Sequence, residues 1–256
     1  MIQLIQRVFQ GMKARQLISG ELMNYLWIFE EELIKKDEAI ITDSFRLTHL
    51  QDILKSTSSD QLKVVVLGSG LGTATINKLS EKELHLIEIN SSPGEERSID
   101  LFVGLSRPQT MKKVLELTAG FPVKRLFFHR TELGEKSYET SKVLEREALS
   151  KHLLLGLSQT GRFHTLPEVE ICKYVPFSKI DQNKNRLIFH PKTSSSLKDF
   201  KLTNLALAIG SERGYTQKEL EFFKENGFKE CWLSDSILRV ETALTSALSG
   251  IDLLKF

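Results

Sequence analysis

The chain has 256 residues, 41% of them apolar, which allows one large domain or two modest domains with a real hydrophobic core. Its net charge is only +2, which excludes a global basic field; any contact with nucleic acid must come from local patches. No apolar run approaches the length of a membrane span and no signal peptide is visible, so we predict a cytoplasmic protein without membrane contacts. Cys172 and Cys231 lie in no metal or redox spacing, which favours free thiols and predicts no metal site.

The first 22 residues carry Arg7, Lys13 and Arg15 among apolar side chains. This pattern is compatible with a short amphipathic helix, and equally with an extension from an early start codon. Met23 would be a natural first residue. We therefore treat residues 1–22 as an N-terminal extension and assign them no function.

Residues 23–92 have the pattern of short strands around one small helix. Such a pattern is typical of a compact β-barrel module. The predicted helix has Leu50, Ile53 and Leu54 on one face. The predicted strands are 25–29, 39–41, 62–67 and 84–89, and the predicted helix is 45–55.

Residues 64–72 have the sequence V-V-V-L-G-S-G-L-G, which offers an alternative interpretation. With Glu88 downstream, they imitate the glycine loop of a Rossmann-type nucleotide enzyme. That loop must open a helix, whereas residues 73–76 favour a strand and too few residues remain before Leu84 for a crossover helix. A glycine turn between two barrel strands is therefore the preferred interpretation.

A linker by composition at residues 91–96 is followed by alternating strands and helices, which predict a parallel α/β sheet. His129, Arg130 and Lys136 form a cluster that could be a solvated surface or part of an RNA contact. His152 and His164 lack metal-ligand partners and are interpreted as structural. The predicted strands are 99–105 and 126–128, and the predicted helices are 110–118 and 141–157.

Residues 204–248 repeat one layout twice: an apolar strand, a tight loop and a helix. The first half has a strand at 205–209 and a helix that a Thr216 capping box opens and Gly227 ends. The second half has a strand at 230–233 and a helix that begins near Ile237. Because ligands bind at the carboxyl ends of parallel strands, the two loops predict one crevice. Gly210 and Gly214 either shape their turn or let the backbone approach a ligand closely.

Three segments of the chain resemble the RsmE family of ribosomal RNA methyltransferases. Residues 209–215 (I-G-S-E-R-G-Y) resemble the family signature I-G-P-E-G-G-F, and residues 233–243 (L-S-D-S-I-L-R-V-E-T-A) resemble L-G-x-R-I-L-R-x-E-T-A. Residues 187–191 (L-I-F-H-P) are similar to the family strand that ends in H-P. The resemblance implies a SPOUT-type parallel sheet with a C-terminal trefoil knot over 97–256, and a small PUA-like β-barrel RNA-binding domain over 23–92.

The resemblance also implies an activity and its partners. Family members use S-adenosylmethionine to methylate N3 of a uridine in small-subunit (16S) ribosomal RNA, and knotted families generally act as homodimers. Arg239 is the first candidate for stabilising negative charge on the uracil, although it could instead pair with Glu212 or Glu241. Glu212 could orient that arginine or act as a base. The candidate phosphate contacts are Arg107, Lys112, Arg130 and Lys136.

The predicted S-adenosylmethionine site combines backbone groups of the loops with apolar walls. Ser211, Arg213, Ser234 and Ser236 depart from the family signatures, and Glu116 stands where its main branch has lysine. These departures leave an alternative open, a catalytically silent RNA-binding protein of the same fold. The predicted cofactor-binding residues are Phe189, His190, Pro191, Ala208, Ile209, Gly210, Glu212, Gly214, Leu233, Ser234, Ile237 and Leu238.

Overall fold

The computed structural model describes residues 23–191 and 193–255. The interpretations of residues 1–22 lie outside this range. The described chain divides into two compact units, and each contains one six-stranded sheet. The first unit comprises 23–96 and 150–166, and the second comprises 97–149 and 167–255.

The first unit contains a mixed sheet with strand order β1-β4-β5-β6-β3-β2. Strands β1 and β4 pair in parallel, and all the other neighbours are antiparallel. The four strands with predicted bounds are present, and β5 is the strand that the glycine-turn interpretation placed after the turn; β2 was not predicted. The strands are β1 (Leu26–Ile28), β2 (Leu33–Lys35), β3 (Glu38–Ile41), β4 (Gln61–Val66), β5 (Gly70–Leu79) and β6 (Leu84–Ser92).

The glycines at 68, 70 and 72 belong to a β-hairpin, so the Rossmann alternative is wrong. Gly68 has φ +80° in the turn, and β5 follows where a nucleotide loop would need a helix. A Cβ on Gly70 would lie 2.3 Å from the Ser92 carbonyl oxygen, and one on Gly72 would lie 1.6 Å from that of Asn90. Glycine at positions 70 and 72 therefore allows the backbone of β6 to approach β5 closely.

The small helical segment of the first unit encloses a buried arginine. Helix α1 (Ser44–Thr48) continues as a π-helix (His49–Ile53), close to the predicted range. The Arg46 guanidinium donates two hydrogen bonds to Glu32, at 2.8 and 2.5 Å, and one to the Trp27 carbonyl oxygen at 2.8 Å. Arg46, Glu32 and Asp43 are all at least 93% buried, so this ion cluster lies inside the first unit.

Residues 150–166 return to the first unit, whereas the sequence placed them in a domain spanning 97–256. Ser158 accepts hydrogen bonds from the backbone N–H groups of Asn24 and Tyr25, at 3.1 and 2.8 Å. The His164 carbonyl oxygen accepts a hydrogen bond from the Gly68 N–H at 2.9 Å. Nδ1 of the His164 ring accepts one from the Gly94 N–H at 3.0 Å. The structural role predicted for His164 is thus confirmed.

The second unit contains an entirely parallel sheet with strand order β12-β10-β11-β7-β8-β9. This confirms the prediction of a parallel α/β sheet. Its core includes the stacked rings of Phe102 and Phe127, whose centroids lie 4.8 Å apart. The strands are β7 (Ile99–Gly104), β8 (Val123–His129), β9 (Glu168–Cys172), β10 (Asn185–Phe189), β11 (Leu205–Ile209) and β12 (Lys229–Cys231).

The helices agree with the sequence in position but differ in two boundaries. The predicted helix 141–157 begins later, because Glu145 is extended with ψ 140°. The last helix begins at Val240 and not near Ile237, because Arg239 is extended with ψ 157°. The helices are α2 (Pro108–Gly120), α3 (Arg146–Thr160), α4 (Gln217–Glu225) and α5 (Val240–Leu254), with 3-10 turns at Glu30–Glu32, Lys136–Thr140, Lys142–Leu144, Phe177–Lys179 and Leu197–Asp199.

Both ends of α4 have the geometry that the sequence predicted. The Thr216 hydroxyl accepts from the Glu219 N–H at 3.2 Å, and a Glu219 carboxylate oxygen accepts from the Thr216 N–H at 2.8 Å. Gly227 has φ +79°, and Phe228 is buried beyond it. The apolar face of α5 is also buried within the chain and belongs to its core; its residues are Val240, Leu244, Ala247, Leu248 and Ile251.

Candidate active site

Three loops at the carboxyl ends of β10, β11 and β12 surround one cavity of about 360 Å³. These strands are neighbours in the parallel sheet, so the loops that follow them meet at one edge. The cavity is lined by Phe189, His190, Pro191, Ile209, Gly210, Ser211, Glu212, Arg213, Gly214, Tyr215, Leu233, Ser234, Ser236, Ile237, Leu238, Val240 and Ala243.

The structure brings together eleven of the twelve residues predicted to bind a cofactor. The exception is Ala208, which is completely buried within β11 and does not border the cavity. Ile237 is 91% exposed in the loop before α5, and with Leu238 it forms an open apolar wall. Their apolar side chains were predicted as walls of the S-adenosylmethionine site.

The glycine loop after β11 requires glycine for its own closure. Gly214 has φ +71°, and its N–H donates to the Ser211 carbonyl oxygen at 2.8 Å. A Cβ on Gly210 would lie 2.9 Å from Cα of Gly214, and one on Gly104 would lie 2.4 Å from the Ser211 nitrogen. The turn-shaping role is therefore visible directly, and the same turn exposes backbone groups to the cavity.

The two predicted catalytic residues occupy different positions at this edge. Glu212 lines the cavity, and its carboxylate accepts from the Arg107 backbone N–H at 2.8 Å. Arg239 is exposed at the N-cap of α5; its carbonyl oxygen accepts from the Ala243 N–H at 2.8 Å, and its guanidinium makes no hydrogen bond or ion pair with the described residues. The Glu241 carboxylate forms an ion pair with Lys113 at 3.1 Å, and Arg239 forms no ion pair with Glu212 or Glu241. A backbone hydrogen bond, the Lys113 contact and, to a smaller extent, the charge of Arg239 lower the pKa of Glu241.

A buried polar contact closes one side of the site, and the sequence did not predict it. His129, at the end of β8, is 1% exposed, so its interpretation as part of a solvated surface is wrong. The His129 Nδ1 lies 2.9 Å from the Arg130 carbonyl oxygen. Because a carbonyl oxygen can only accept a hydrogen bond, Nδ1 carries the ring proton. Nε2 therefore accepts a hydrogen bond from the Tyr215 hydroxyl at 3.1 Å. A second hydrogen bond, of 2.8 Å, joins the hydroxyl oxygens of Thr131 and Ser211.

Burial determines the protonation states of His129 and Tyr215. Desolvation lowers the pKa of His129 to about 4, and it raises the pKa of Tyr215 well above its usual value. Both side chains are therefore neutral at pH 7. The available sequence signals were a histidine directly after the apolar segment 126–128 and a tyrosine where the family signature has phenylalanine.

The four predicted RNA-contacting residues lie on the exposed surface of the second unit, but not in one cluster. Arg130 and Lys136 line a second cavity, and Arg130 forms an ion pair with Glu139. The hydrogen bond that the Arg107 guanidinium donates to the Tyr138 side-chain oxygen, followed by the charges of Tyr138 and Glu212, raises the pKa of Arg107. Lys112 is exposed on α2.

The cysteines confirm the prediction of free thiols. Cys231 is fully buried, and desolvation raises the pKa of its thiol to about 12. The pKa of Cys172 is raised to about 11 for the same reason. Among the described residues, no three His, Cys, Asp or Glu side chains are grouped to hold a metal ion. Within the same part of the chain, every helix is too short or too polar to span a bilayer.

Comparison with known proteins defines the class to which this sheet and its three loops belong. The model of the RNA methyltransferase domain family matches residues 93–252, which is well over half of the chain. The chain therefore belongs to the RNA methyltransferase family. Its relatives include a ribosomal RNA small subunit methyltransferase E 1 from Borreliella burgdorferi, 29% identical over 79% of this chain and 87% of the relative. The predicted membership of the RsmE family is thereby confirmed.

Two further comparisons extend the similarity over most of the chain. A ribosomal RNA small subunit methyltransferase E from Treponema pallidum is 27% identical over 90% of both chains. The crystal structure of the Neisseria gonorrhoeae ribosomal RNA small subunit methyltransferase E, bound to S-adenosyl methionine, superposes with a TM-score of 0.73. It covers 91% of this chain and 98% of the other at 18% identity, which shows a shared fold.

Proposed function

We propose that the protein is an S-adenosylmethionine-dependent methyltransferase that modifies N3 of a uridine in 16S ribosomal RNA. The observation that carries this proposal is the single cavity formed by the three family loops. The RNA methyltransferase domain and the names of the relatives support the reaction and the class of RNA. The protein would act in the cytoplasm, where ribosomal RNA is available to it.

The cavity has the size and composition that this cofactor requires. Its volume of about 360 Å³ lies in the range of small-ligand pockets, roughly 300–1,000 Å³. Backbone groups of Ile209, Gly210 and Leu233 would bind the polar atoms, while Ile237 and Leu238 would cover the adenine. His190 and Pro191 would complete the site from the loop after β10. S-adenosylmethionine, when bound, supplies a methyl group activated by a sulfonium.

Arg239 is our candidate for assisting the uracil base. Uridine N3 carries a proton that must be lost before it can attack, so negative charge develops on the ring and a nearby cation stabilises it. The Arg239 guanidinium is exposed at the start of α5 and forms no hydrogen bond or ion pair within the part of the chain that the structure describes. We assign Glu212 to holding the loops after β7 and β11 together, because a carboxylate occupied by a backbone N–H is a poor base.

We further infer a trefoil knot, a PUA-like RNA-binding barrel and a homodimer. The strand order supports the knot, because the chain leaves β11 and returns beyond β10 as β12. The mixed sheet of the first unit, in which every pair except β1–β4 is antiparallel, supports the barrel. Arg107, Lys112, Arg130 and Lys136 would contact phosphates, which contribute affinity with little sequence information.

Calorimetric titration with S-adenosylmethionine tests the proposal on the wild type and on Gly214→Val. Valine is strained at φ +71°, at a cost of about 1–3 kcal/mol, and it displaces the loop that borders the cavity. We expect one-site binding in the wild type and at least roughly tenfold weaker binding in the variant. Gly68→Val is the matched control, because Gly68 has φ +80° and, like Gly214, no neighbouring atom within 4 Å of a Cβ.

The same proteins would then be assayed for methyl transfer to 16S ribosomal RNA, with mass spectrometry to locate the modified base. Gly68→Val should bind the cofactor like the wild type. A wild type that binds RNA but no S-adenosylmethionine would contradict the proposal and favour the catalytically silent alternative.

Replacing Arg239 by glutamine should lower the rate of methyl transfer by roughly 10²–10³-fold, the usual effect of removing one charge-stabilising group. Cofactor affinity should stay within about twofold, because the side chain does not line the cavity. Single-turnover kinetics and calorimetry separate the two effects. Lys229→Gln, exposed at the start of β12, is the control for a lost positive charge. Equal losses in rate and cofactor affinity would instead give Arg239 a structural role.

A further inference from the structure

A second cavity of about 360 Å³ lies at the same edge of the parallel sheet, where β7, β8 and β9 end. None of the predicted cofactor residues lines it. Its apolar lining includes Leu105, Val175 and Phe223. The His129–Tyr215 and Thr131–Ser211 hydrogen bonds link residues of this cavity to residues of the first. The two cavities are therefore neighbours within the second unit.

Two aromatic side chains border this second cavity with much of their surface exposed. Tyr174 is 71% exposed and Phe222 is 54% exposed. Phe222 packs edge-on against Phe177, with centroids 5.2 Å apart. Lys173 Nζ lies 5.2 Å from the centroid of the Tyr174 ring. Exposed rings beside a cation are the arrangement on which unpaired nucleic-acid bases stack.

The lining of the second cavity carries four cations and four glutamates, and its two lysines that lack an acidic partner in the described chain are available to an anionic ligand. Three of its four glutamates have internal partners: Glu139 pairs with Arg130, Glu132 accepts from the Thr216 hydroxyl, and Glu219 caps α4. Of its four cations, Lys218 lies 3.8 Å from Glu132. Among the described residues, Lys136 and Lys173 have no acidic partner. Of the glutamates that line the cavity, Glu135 is the one that remains to oppose their charge.

We propose that the second cavity binds an unpaired nucleotide of the RNA substrate that flanks the methylated base. Its base would stack on Tyr174 and Phe222, and its phosphate would contact Lys136 and Lys173. This inference rests on the proposed function, since it takes the RNA to be the substrate. The neighbouring cavities would then hold the cofactor and the flanking nucleotide at one sheet edge, on either side of the buried His129–Tyr215 contact.

The test uses the double variant Tyr174→Ala, Phe222→Ala and a single-stranded 16S fragment that the wild type methylates. We expect binding of the fragment to weaken by roughly tenfold or more, as expected for lost base stacking. Affinity for S-adenosylmethionine should not change, and because both rings are exposed the fold should be retained. Tyr174→Phe with Phe222→Tyr is the matched control, since it keeps two rings and should keep RNA affinity.

The other possible outcomes distinguish a failure of this inference from a failure of the proposed function. Unchanged affinity for the fragment in the alanine variant, beside a wild type that methylates it, would overturn this inference and leave the proposed function standing. Weaker binding only to assembled small subunits would also overturn it, because the surface would then contact protein. A wild type that methylates no RNA would instead contradict the proposed function. Lys136→Gln with Lys173→Gln should reduce the salt dependence of RNA binding.

Discussion

Replacing Arg46 by alanine is expected to lower the free energy of unfolding of the first unit by about 3–5 kcal/mol. The change leaves the carboxylates of Glu32 and Asp43 buried without their cation. It also removes the hydrogen bond to the Trp27 carbonyl oxygen and the cation–π contact with Phe29. Urea unfolding followed by Trp27 fluorescence, in a Trp232→Phe background, would measure the loss in the unit concerned.

The control for Arg46 is an ion pair at the surface of the same unit. Lys35 pairs with Glu38 at 2.6 Å but its side chain is 71% exposed, so Lys35→Ala should cause no measurable change. The deficit of Arg46→Ala should shrink as the pH falls, because desolvation raises the pKa of Asp43 and its protonation removes a buried charge that has lost its cation. A deficit that is small at pH 7, or independent of pH, would contradict the assignment of a buried ion cluster.

His129 is expected to destabilise the second unit as the pH falls from 6.5 towards 4. Its pKa is about 4 in the folded chain and near 6.5 when unfolded, so the unfolded state binds more protons across this window. The stabilising contribution is therefore complete above pH 6.5, and it is lost progressively as the pH approaches 4. The full shift of about 2.5 pKa units corresponds to a loss of about 3 kcal/mol.

The variant His129→Gln isolates this contribution, because an amide can replace both hydrogen bonds of the ring without titrating. The difference in unfolding free energy between wild type and variant, measured in urea from pH 7 to pH 4, should change by about 3 kcal/mol in favour of the variant. If the difference stays constant over this range, His129 is not held as a buried neutral imidazole.

The cavity at the ends of β10, β11 and β12 was predictable because its determinants are local. Each loop follows an apolar strand, and parallel pairing alone then brings the loops after β10, β11 and β12 to one edge. Gly214 and the Thr216 cap act within a few residues of their own position. These features therefore appeared in the sequence as short motifs.

The missed features depend on contacts between distant segments. His129 and Tyr215 are 86 residues apart, so no motif could reveal that they share a hydrogen bond. Strand β9 lies at the edge of its sheet and carries Glu168 and Glu170. Because these residues interrupt any apolar pattern, the strand was not predicted. The late start of α5 depends on Arg239 staying extended, although residues 237–240 have an apolar pattern that favours a helix.

The return of residues 150–166 to the first unit has a consequence for the order of folding during synthesis. The backbone N–H groups of Asn24, Tyr25 and Gly68 find their acceptors in Ser158 and His164. When a ribosome has released only residues up to 96, those acceptors have not yet been made. At roughly 5–20 residues per second, the nascent first unit must wait several seconds for them. Completion of the first unit therefore follows the synthesis of β7 and β8, the first two strands of the second unit, and precedes that of the other four strands.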